Sequence, residues 1–258
     1  MSQVDVPLVR AGFGQTRRAD NWWVQPLFVF LGLSTFIVYS TWAALQGQHF
    51  RFGPYLSPFY SPELFGSAEA WLGANPKWMP AWVTAAMLIL WAPGGFRVTC
   101  YYYRGAYYKA FWADPPSCTV GEPRKKYLGE RSFPLIIQNI HRYFLYLALV
   151  FLIILARDVW NALWFDGHFG IGLGTLVLLT NLILLSSYTF GCHSFRHLVG
   201  GFRDRLAGRP VRKLAYDCVS CFNRRHMLFA WCSLCSVGFA DLYIRMCSMG
   251  IWHDWRIL

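Results

Sequence analysis

The chain has 258 residues, of which 55% are hydrophobic and 19% aromatic, while only 14% are charged. A soluble domain normally carries about a quarter charged residues, so this composition excludes an ordinary soluble protein and indicates one that lies in lipid. The formal net charge of +11 leaves nucleic acid and anionic lipid open as partners, and the positions of the basic residues decide between them.

Five apolar stretches are long enough to cross a bilayer, which takes roughly 20 residues of helix. The second is the weakest, because prolines lie near both of its ends, and residues 1–21 have no apolar core that would make them a signal peptide. The sequence thus predicts an all-α fold: an integral membrane bundle of five transmembrane helices, forming a single membrane domain over residues 1–258. The predicted spans are Trp22–Leu45, Trp78–Phe96, Ile140–Phe165, Ile171–Phe190 and Met227–Met249.

The basic residues orient these spans. Residues 97–139 hold seven Lys and Arg and residues 191–226 hold eight, whereas residues 46–77 hold only Arg51 and Lys77. The positive-inside rule therefore places the tail of residues 1–21 and both basic loops in the cytoplasm, at the plasma membrane. Because the charges flank spans instead of forming a separate domain, they indicate lipid headgroups or a partner subunit and not nucleic acid.

Cysteine and histidine concentrate at the cytoplasmic ends of the predicted spans. Cys100 and Cys118 follow the second span, and disulfides rarely persist on that reducing side. A ring of such side chains from several helix ends is the kind of cluster that binds a metal in a helical bundle. The other members of this layer are His141 at the start of the third span, Cys192, His193 and His197 at the end of the fourth, and His226 at the start of the fifth.

Three metal groups are compatible with these residue types. His193 and His197 have the i, i+4 spacing that can chelate zinc, but Cys218 and Cys221 form only half of a zinc ribbon. One b-type haem could take two of the four histidines, whereas two stacked haems are excluded because the first two spans contain no histidine. A Rieske-type 2Fe–2S centre needs two thiolates and two imidazoles, and this layer has that mixture.

Several segments resemble the membrane-anchor subunit of actinobacterial succinate dehydrogenases. The resemblance runs from about residue 97 to residue 249. The broader relatives are five-span anchors of succinate:menaquinone and fumarate reductases, most of which carry two haems. The matching segments are CYYYRGAYYK from Cys100, DPPSC from Asp114, NIHRYF from Asn139, CHSFRH from Cys192 and RHM from Arg225.

The resemblance implies a Rieske-type 2Fe–2S cluster in place of haem, and menaquinone as electron acceptor. It also implies a flavoprotein that oxidises succinate and an iron–sulfur subunit as partners, in a complex that could form a higher oligomer. The succinate site would then lie on another chain, and membrane lipids would surround this one.

The expected ligands follow from the cluster and the helix ends. We expect Cys118 and Cys192 to supply the thiolates, with Cys100 as the alternative, because Cys192 adjoins His193 and the Pro-Pro loop before Cys118 can fold over a cluster. We expect two of His141, His193 and His226 to supply the imidazoles, with His197 as the alternative. The expected quinone-binding residues are Tyr103, Arg142 and His197, which lie at the right level to meet a carbonyl.

Two other classes of protein are compatible with these features. A transporter would carry ionisable residues at mid-span, and Asp241 and Arg245 are the candidates, although their spacing is also that of an internal ion pair. A scaffold that binds only lipid and partner subunits would need no redox group.

The charge pattern generates a test of topology. A reporter enzyme fused after Leu258 should report an external C-terminus, because five spans carry a chain that starts in the cytoplasm to the opposite side. A cytoplasmic readout at that position would contradict the orientation.

Overall fold

The computed structural model describes residues 12–66, 70–74, 76–77, 79–80, 82–124, 131–133, 135–201, 205–206 and 208–258. These residues are mostly helical, as the composition predicts. The elements in chain order are α1 (Val24–Gln46), β1 (Arg51–Phe52), β2 (Tyr55–Leu56), a 3₁₀ turn (Pro58–Tyr60), α2 (Ala85–Ile89), α3 (Trp91–Val98), α4 (Tyr101–Phe111), a second 3₁₀ segment (Leu135–Ile140), α5 (His141–Asn161), β3 (Trp164–Phe165), β4 (His168–Phe169), α6 (Leu173–Phe190), α7 (His193–Gly200), α8 (Pro210–Arg224) and α9 (His226–Ser248).

The described residues fall into two units. The first comprises the chain up to Thr35 together with Thr99–Asn139, and the second comprises Phe36–Val98 together with Ile140–Leu258. In the first unit, Phe30 packs against Phe111 with ring centroids 4.9 Å apart, and Arg18 donates hydrogen bonds to Ser117 Oγ and the Cys118 carbonyl. These bonds fix the loop that carries Cys118.

Four helices in the described part are long and apolar enough to cross a membrane. They are Val24–Gln46, Leu135–Asn161, Leu173–Phe190 and His226–Ser248. Large apolar side chains on their outer faces stay exposed, for example Phe28 at 70% and Ile153 at 72%. Lipid solvates such side chains as well as a protein core does, so these faces are expected in a membrane-embedded bundle.

Only part of the predicted second span, Trp78–Phe96, is helical in the described residues. Trp78 and Ala81 lie outside the described residues, and the helix that follows is interrupted at Leu90 between α2 and α3. Pro93 has no amide hydrogen to donate to the carbonyl of Ile89, which weakens the helix at this point. Five membrane-spanning helices therefore remain a prediction.

The predicted third span ends earlier than Phe165. Helix α5 stops at Asn161, and Trp164–Phe165 pairs with His168–Phe169 as a hairpin. Its two turn residues, Asp166 and Gly167, have φ angles of 50° and 83°. An Asp-Gly pair of this kind forms the tight turn that matches the twist of two antiparallel strands, so the chain leaves the helix four residues before the predicted boundary.

A buried ion pair organises the second unit. Arg245 contacts Asp241 one turn earlier in α9, at 3.3 Å, and both side chains are fully buried. Asp241 also accepts hydrogen bonds from Tyr39 Oη at 2.6 Å and from Ser57 Oγ, while Arg245 donates to the carbonyl of Gln48 at 2.8 Å. Helix α1, the segment that carries the first 3₁₀ turn, and α9 are joined by this network.

The C-terminal segment is anchored in a similar way. Asp254 accepts hydrogen bonds from Tyr55 Oη at 2.8 Å, from Tyr243 Oη at 2.7 Å and from the amide of Gly174 at 2.9 Å. The carboxylate therefore joins the β1–β2 hairpin to the start of α6 and the end of α9.

Helices α3 and α5 pack closely because Gly95 has no side chain. A Cβ atom at this position would lie 2.1 Å from Cε1 of Phe144. We expect Gly95→Ala to lower the free energy of unfolding by about 1–3 kcal/mol, the usual cost of overpacking, and thermal unfolding of the detergent-solubilised protein measures the loss.

The neighbouring Gly94 supplies the matched control. A Cβ atom there meets no described atom within 4 Å, so Gly94→Ala should keep or raise the melting temperature, since alanine favours a helix over glycine by about 1 kcal/mol. Equal melting temperatures for the two variants would contradict the close packing of α3 on α5.

Candidate functional site

Cys192 and His141 are in contact. The His141 Nε2 atom lies 3.0 Å from Cys192 Sγ, and the two residues are only 7% and 2% exposed. His141 is the first residue of α5, and Cys192 is the N-cap of α7 directly after the end of α6. A thiol and an imidazole from two chain segments therefore meet at the end of the membrane helices.

A column of rings joins His141 to His226. The ring of Phe96 stacks on His141 with centroids 4.7 Å apart and planes at 10°, and it meets Tyr188 edge-on at 5.5 Å. Tyr188 in turn stacks on His226 at 5.0 Å and 13°. The two imidazoles are thus held in fixed planes by aromatic neighbours from α3 and α6.

Gly191 lets His226 approach the backbone beside Cys192. A Cβ atom on Gly191 would lie 3.2 Å from His226 Nδ1, 3.1 Å from the Phe222 carbonyl and 2.9 Å from the Ser187 carbonyl. His226 therefore lies next to the residue that precedes Cys192, and His141, Cys192 and His226 gather at one level of the second unit.

Arg97 ties α3 to α9 at this level. Its guanidinium donates to the Ala230 carbonyl at 3.2 Å and to Ser233 Oγ at 3.0 Å, and it lies 4.8 Å from the centroid of the Tyr188 ring. A cation over an aromatic face is attracted by the ring quadrupole, so Arg97 holds both the ring column and the first turns of α9.

An apolar cavity of about 160 Å³ adjoins the ring column. Phe96, Arg97 and Tyr188 line it at one end, and Ala148 and Leu152 of α5 line one wall. Concave apolar sites with a few polar groups are the usual form of a small-molecule pocket, and Arg97 and Tyr188 supply those polar groups here.

The structure places the other predicted site residues elsewhere. His193 and His197 form an exposed pair on α7, with their Nε2 atoms 2.9 Å apart. Partial burial lowers the pKa of the His193 imidazole, and the nearby His197 and Arg196 lower it further. Arg142 is exposed at the start of α5, and neither Arg142 nor His197 is among the residues that line the apolar cavity.

Two more predicted residues belong to the first unit. Cys118 is exposed in its loop, whereas Tyr103 is buried within α4. Cys100, the alternative thiol, is buried and is the N-cap of α4, with φ and ψ of −64° and 133°. Cys192 caps α7 in the same backbone conformation, with φ and ψ of −64° and 140°. A helix N-terminus favours negative charge, which suits a thiolate.

These residues fit an iron–sulfur centre in donor chemistry. A buried thiol in contact with a buried imidazole supplies one donor of each kind that a Rieske-type centre needs, and His226 lies close by. Within the described ranges, however, no group of three or more His, Cys, Asp or Glu side chains is close enough to hold a metal ion. The described part therefore shows a fitting pair and not a complete ligand set.

The ring column and its arginine were missed by the sequence analysis. Phe96, Arg97 and Tyr188 carry no motif, and the chain contains 21 Phe and 14 Tyr. The available signal was the Pro-Gly-Gly run before Phe96, because small residues at a helix end allow a neighbouring helix to approach closely.

Long apolar helices that bring a thiol and imidazoles together at one end define a class, the membrane subunits built as helical bundles. The chain belongs to the family of actinobacterial succinate dehydrogenase subunit SdhC, whose family model matches residues 24–250. This match confirms the resemblance noted in the sequence, and the chain is thus a membrane subunit of a succinate dehydrogenase.

A solved structure supports the same assignment. The chain is similar to a chain of the Mycobacterium smegmatis Sdh1 complex in the apo form, with 40% sequence identity, a TM-score of 0.88 and coverage of 100% of both chains. A search of curated proteins found no match.

Proposed function

We propose that the chain is the anchor that passes electrons from an iron–sulfur subunit of succinate dehydrogenase to menaquinone. The observation that carries the proposal is the buried contact of 3.0 Å between Cys192 Sγ and His141 Nε2 at the end of the membrane helices. Buried polar groups at membrane depth are costly and are kept for function. A pure scaffold would have no use for this pair.

The cofactor proposed here is a Rieske-type 2Fe–2S cluster. When bound, it would supply a one-electron carrier between the soluble redox centres and the quinone. We assign Cys192 as one thiolate ligand and Cys118 or Cys100 as the other. His141 and His226 are the preferred imidazoles because Phe96 and Tyr188 already hold their planes, and His193 remains the third candidate.

The apolar cavity is the proposed site of the menaquinone headgroup. Ala148 and Leu152 line one wall of it, and Arg97 and Tyr188 would donate to a carbonyl at the end beside the ring column. The predicted carbonyl contacts of Tyr103, Arg142 and His197 remain a separate proposal for the quinone site.

The partners proposed for this chain are a flavoprotein that oxidises succinate and the iron–sulfur subunit. The basic segments of residues 97–139 and 191–226 would face them from the cytoplasmic side of the plasma membrane. The Mycobacterium smegmatis relative was solved as a complex, which supports an assembled state for this chain.

The cluster proposal is tested by replacing one ligand. In the purified complex, Cys192→Ser should abolish the low-g-value electron paramagnetic resonance signal of a Rieske centre, because an alcohol oxygen is a poor substitute for a thiolate on iron. Reduced-minus-oxidised spectra should show no haem α band. Parallel serine variants at positions 118 and 100 identify the second thiolate.

Cys247→Ser is the matched control. Cys247 is also buried but lies at the opposite end of α9, so its replacement should leave the signal intact. A signal that survives Cys192→Ser would exclude Cys192 as a ligand, and a haem band would favour the alternative of a single-haem b anchor.

The quinone site is tested by filling the cavity. Ala148→Leu places three more carbon atoms in a cavity of about 160 Å³, and we expect succinate-driven reduction of a menaquinone analogue to fall about tenfold. Succinate oxidation by a soluble dye should not change, since that site lies on another chain. Ala156→Leu, at an exposed position of α5, is the control, and equal losses in both variants would place the quinone elsewhere.

The same reduction of a menaquinone analogue, measured in proteoliposomes, examines coupling to the membrane potential. Succinate is a weak reductant for a low-potential quinone, and a potential contributes about 2.3 kcal/mol per charge per 100 mV. We expect an uncoupler to change the rate little, because the predicted quinone-binding polar residues lie toward the cytoplasmic end. A large loss of rate would reveal a proton path.

A further inference from the structure

A second cavity lies at the C-terminal end of α5. It has a volume of about 460 Å³, and Arg157, Asp158 and Asn161 from the last turn of α5 line it together with residues of the loop that follows β2. Helix α5 belongs to a segment long and apolar enough to span a membrane, Leu135–Asn161. The cavity therefore lies at the depth where lipid headgroups meet water.

The cavity presents both signs of charge. The Arg157 guanidinium lies 5.8 Å from the centroid of the Trp71 ring, and the neighbouring Asp158 accepts a hydrogen bond from Ser61 Oγ. A second pair, Arg51 and Glu63, forms an ion pair at 2.5 Å in the same wall. Because Arg51 and Glu63 compensate each other, Arg157 and Asp158 are the remaining pair of opposite charges that line the cavity.

Aromatic side chains also flank the cavity. Trp164 lines it and is 41% exposed, and Trp160, 61% exposed, stands 6.0 Å away between ring centroids. Tryptophan rings concentrate at the headgroup level, where one edge is apolar and the other is wet. An acyl chain that leaves the cavity would therefore run along exposed apolar surface.

From this arrangement we propose that the cavity binds the headgroup of a zwitterionic phospholipid of the phosphatidylethanolamine type. The phosphate would lie against the Arg157 guanidinium and the Asn161 amide, and the ammonium group against the Asp158 carboxylate. Phosphatidylglycerol shares the phosphate but has no ammonium group, so its phosphate would face Asp158 without compensation. This site is independent of the redox site, which lies at the other end of α5.

Native mass spectrometry of the delipidated complex with an equimolar mixture of the two lipids tests the proposal. The unmodified complex should retain phosphatidylethanolamine about fivefold more than phosphatidylglycerol, the ratio expected from one partly exposed charge pair. Arg157→Gln should lower retention of both lipids about fivefold, because it removes the phosphate contact. Asp158→Asn should bring the ratio of the two lipids close to one.

Two charge-matched variants are the controls. Arg256→Gln and Asp166→Asn remove the same charges at positions that do not line the cavity, and both should behave like the unmodified complex. Equal retention of the two lipids by the unmodified complex, or an unchanged ratio in Asp158→Asn, would overturn the proposal. Displacement of the lipid by inorganic phosphate or glycerophosphoethanolamine at equal concentration would also overturn it, since the ligand would then be a small soluble phosphate compound.

The unmodified complex gives the lipid ratio and the competition result without any variant. The proposal therefore stays falsifiable even if Arg157→Gln fails to assemble, and the subunit masses in the same spectra report assembly.

Discussion

The ion pair of Asp241 and Arg245 is the interaction on which the second unit depends, because two charges buried in a membrane helix must satisfy each other. Two arginine N–H groups and the hydroxyl groups of Tyr39 and Ser57 all donate to the Asp241 carboxylate. The pair thereby fixes α1 and the 3₁₀ turn against α9. Its partners all come from the same unit, which favours an internal structural pair over the ionisable pathway of a transporter.

Helix α9 carries this constraint to the level of the His141–Cys192 contact. His226 lies 15 residues before Asp241, which corresponds to about 22 Å along a helix, so one rigid element joins the two ends. At the His226 end, the absence of side chains at Gly95 and Gly191 permits close approach of Phe144 and His226. This close approach lets the rings of the column pack on one another. Arg97 then holds the column against the first turns of α9.

Much of this architecture could be predicted from the sequence, since apolar length alone placed the first, fourth and fifth spans within two residues of α1, α6 and α9. From the sequence it could be predicted only that His141 and Cys192 lie at the same membrane level, because both residues stand at helix ends. Their direct contact could not be predicted. Which histidine pairs with which cysteine depends on side-chain direction. The exposure of His193 and His197 depends on the rotation of α7, and the roles of Phe96 and Tyr188 depend on packing in a chain rich in aromatic residues.

The Asp241 network and the apolar cavity of the second unit together limit where a quinone bound in that cavity could obtain protons. Ser40 and Pro58 line the apolar cavity, and they are the sequence neighbours of Tyr39 and Ser57, which donate to Asp241. A relay through Asp241 would have to displace at least one of the four donors described above, because each oxygen already accepts two hydrogen bonds. Because these four hydrogen bonds occupy both oxygens of the carboxylate, the network closes this end of the cavity to proton transfer. Protons for a quinone bound there would then come from the end that Arg97 and Tyr188 line.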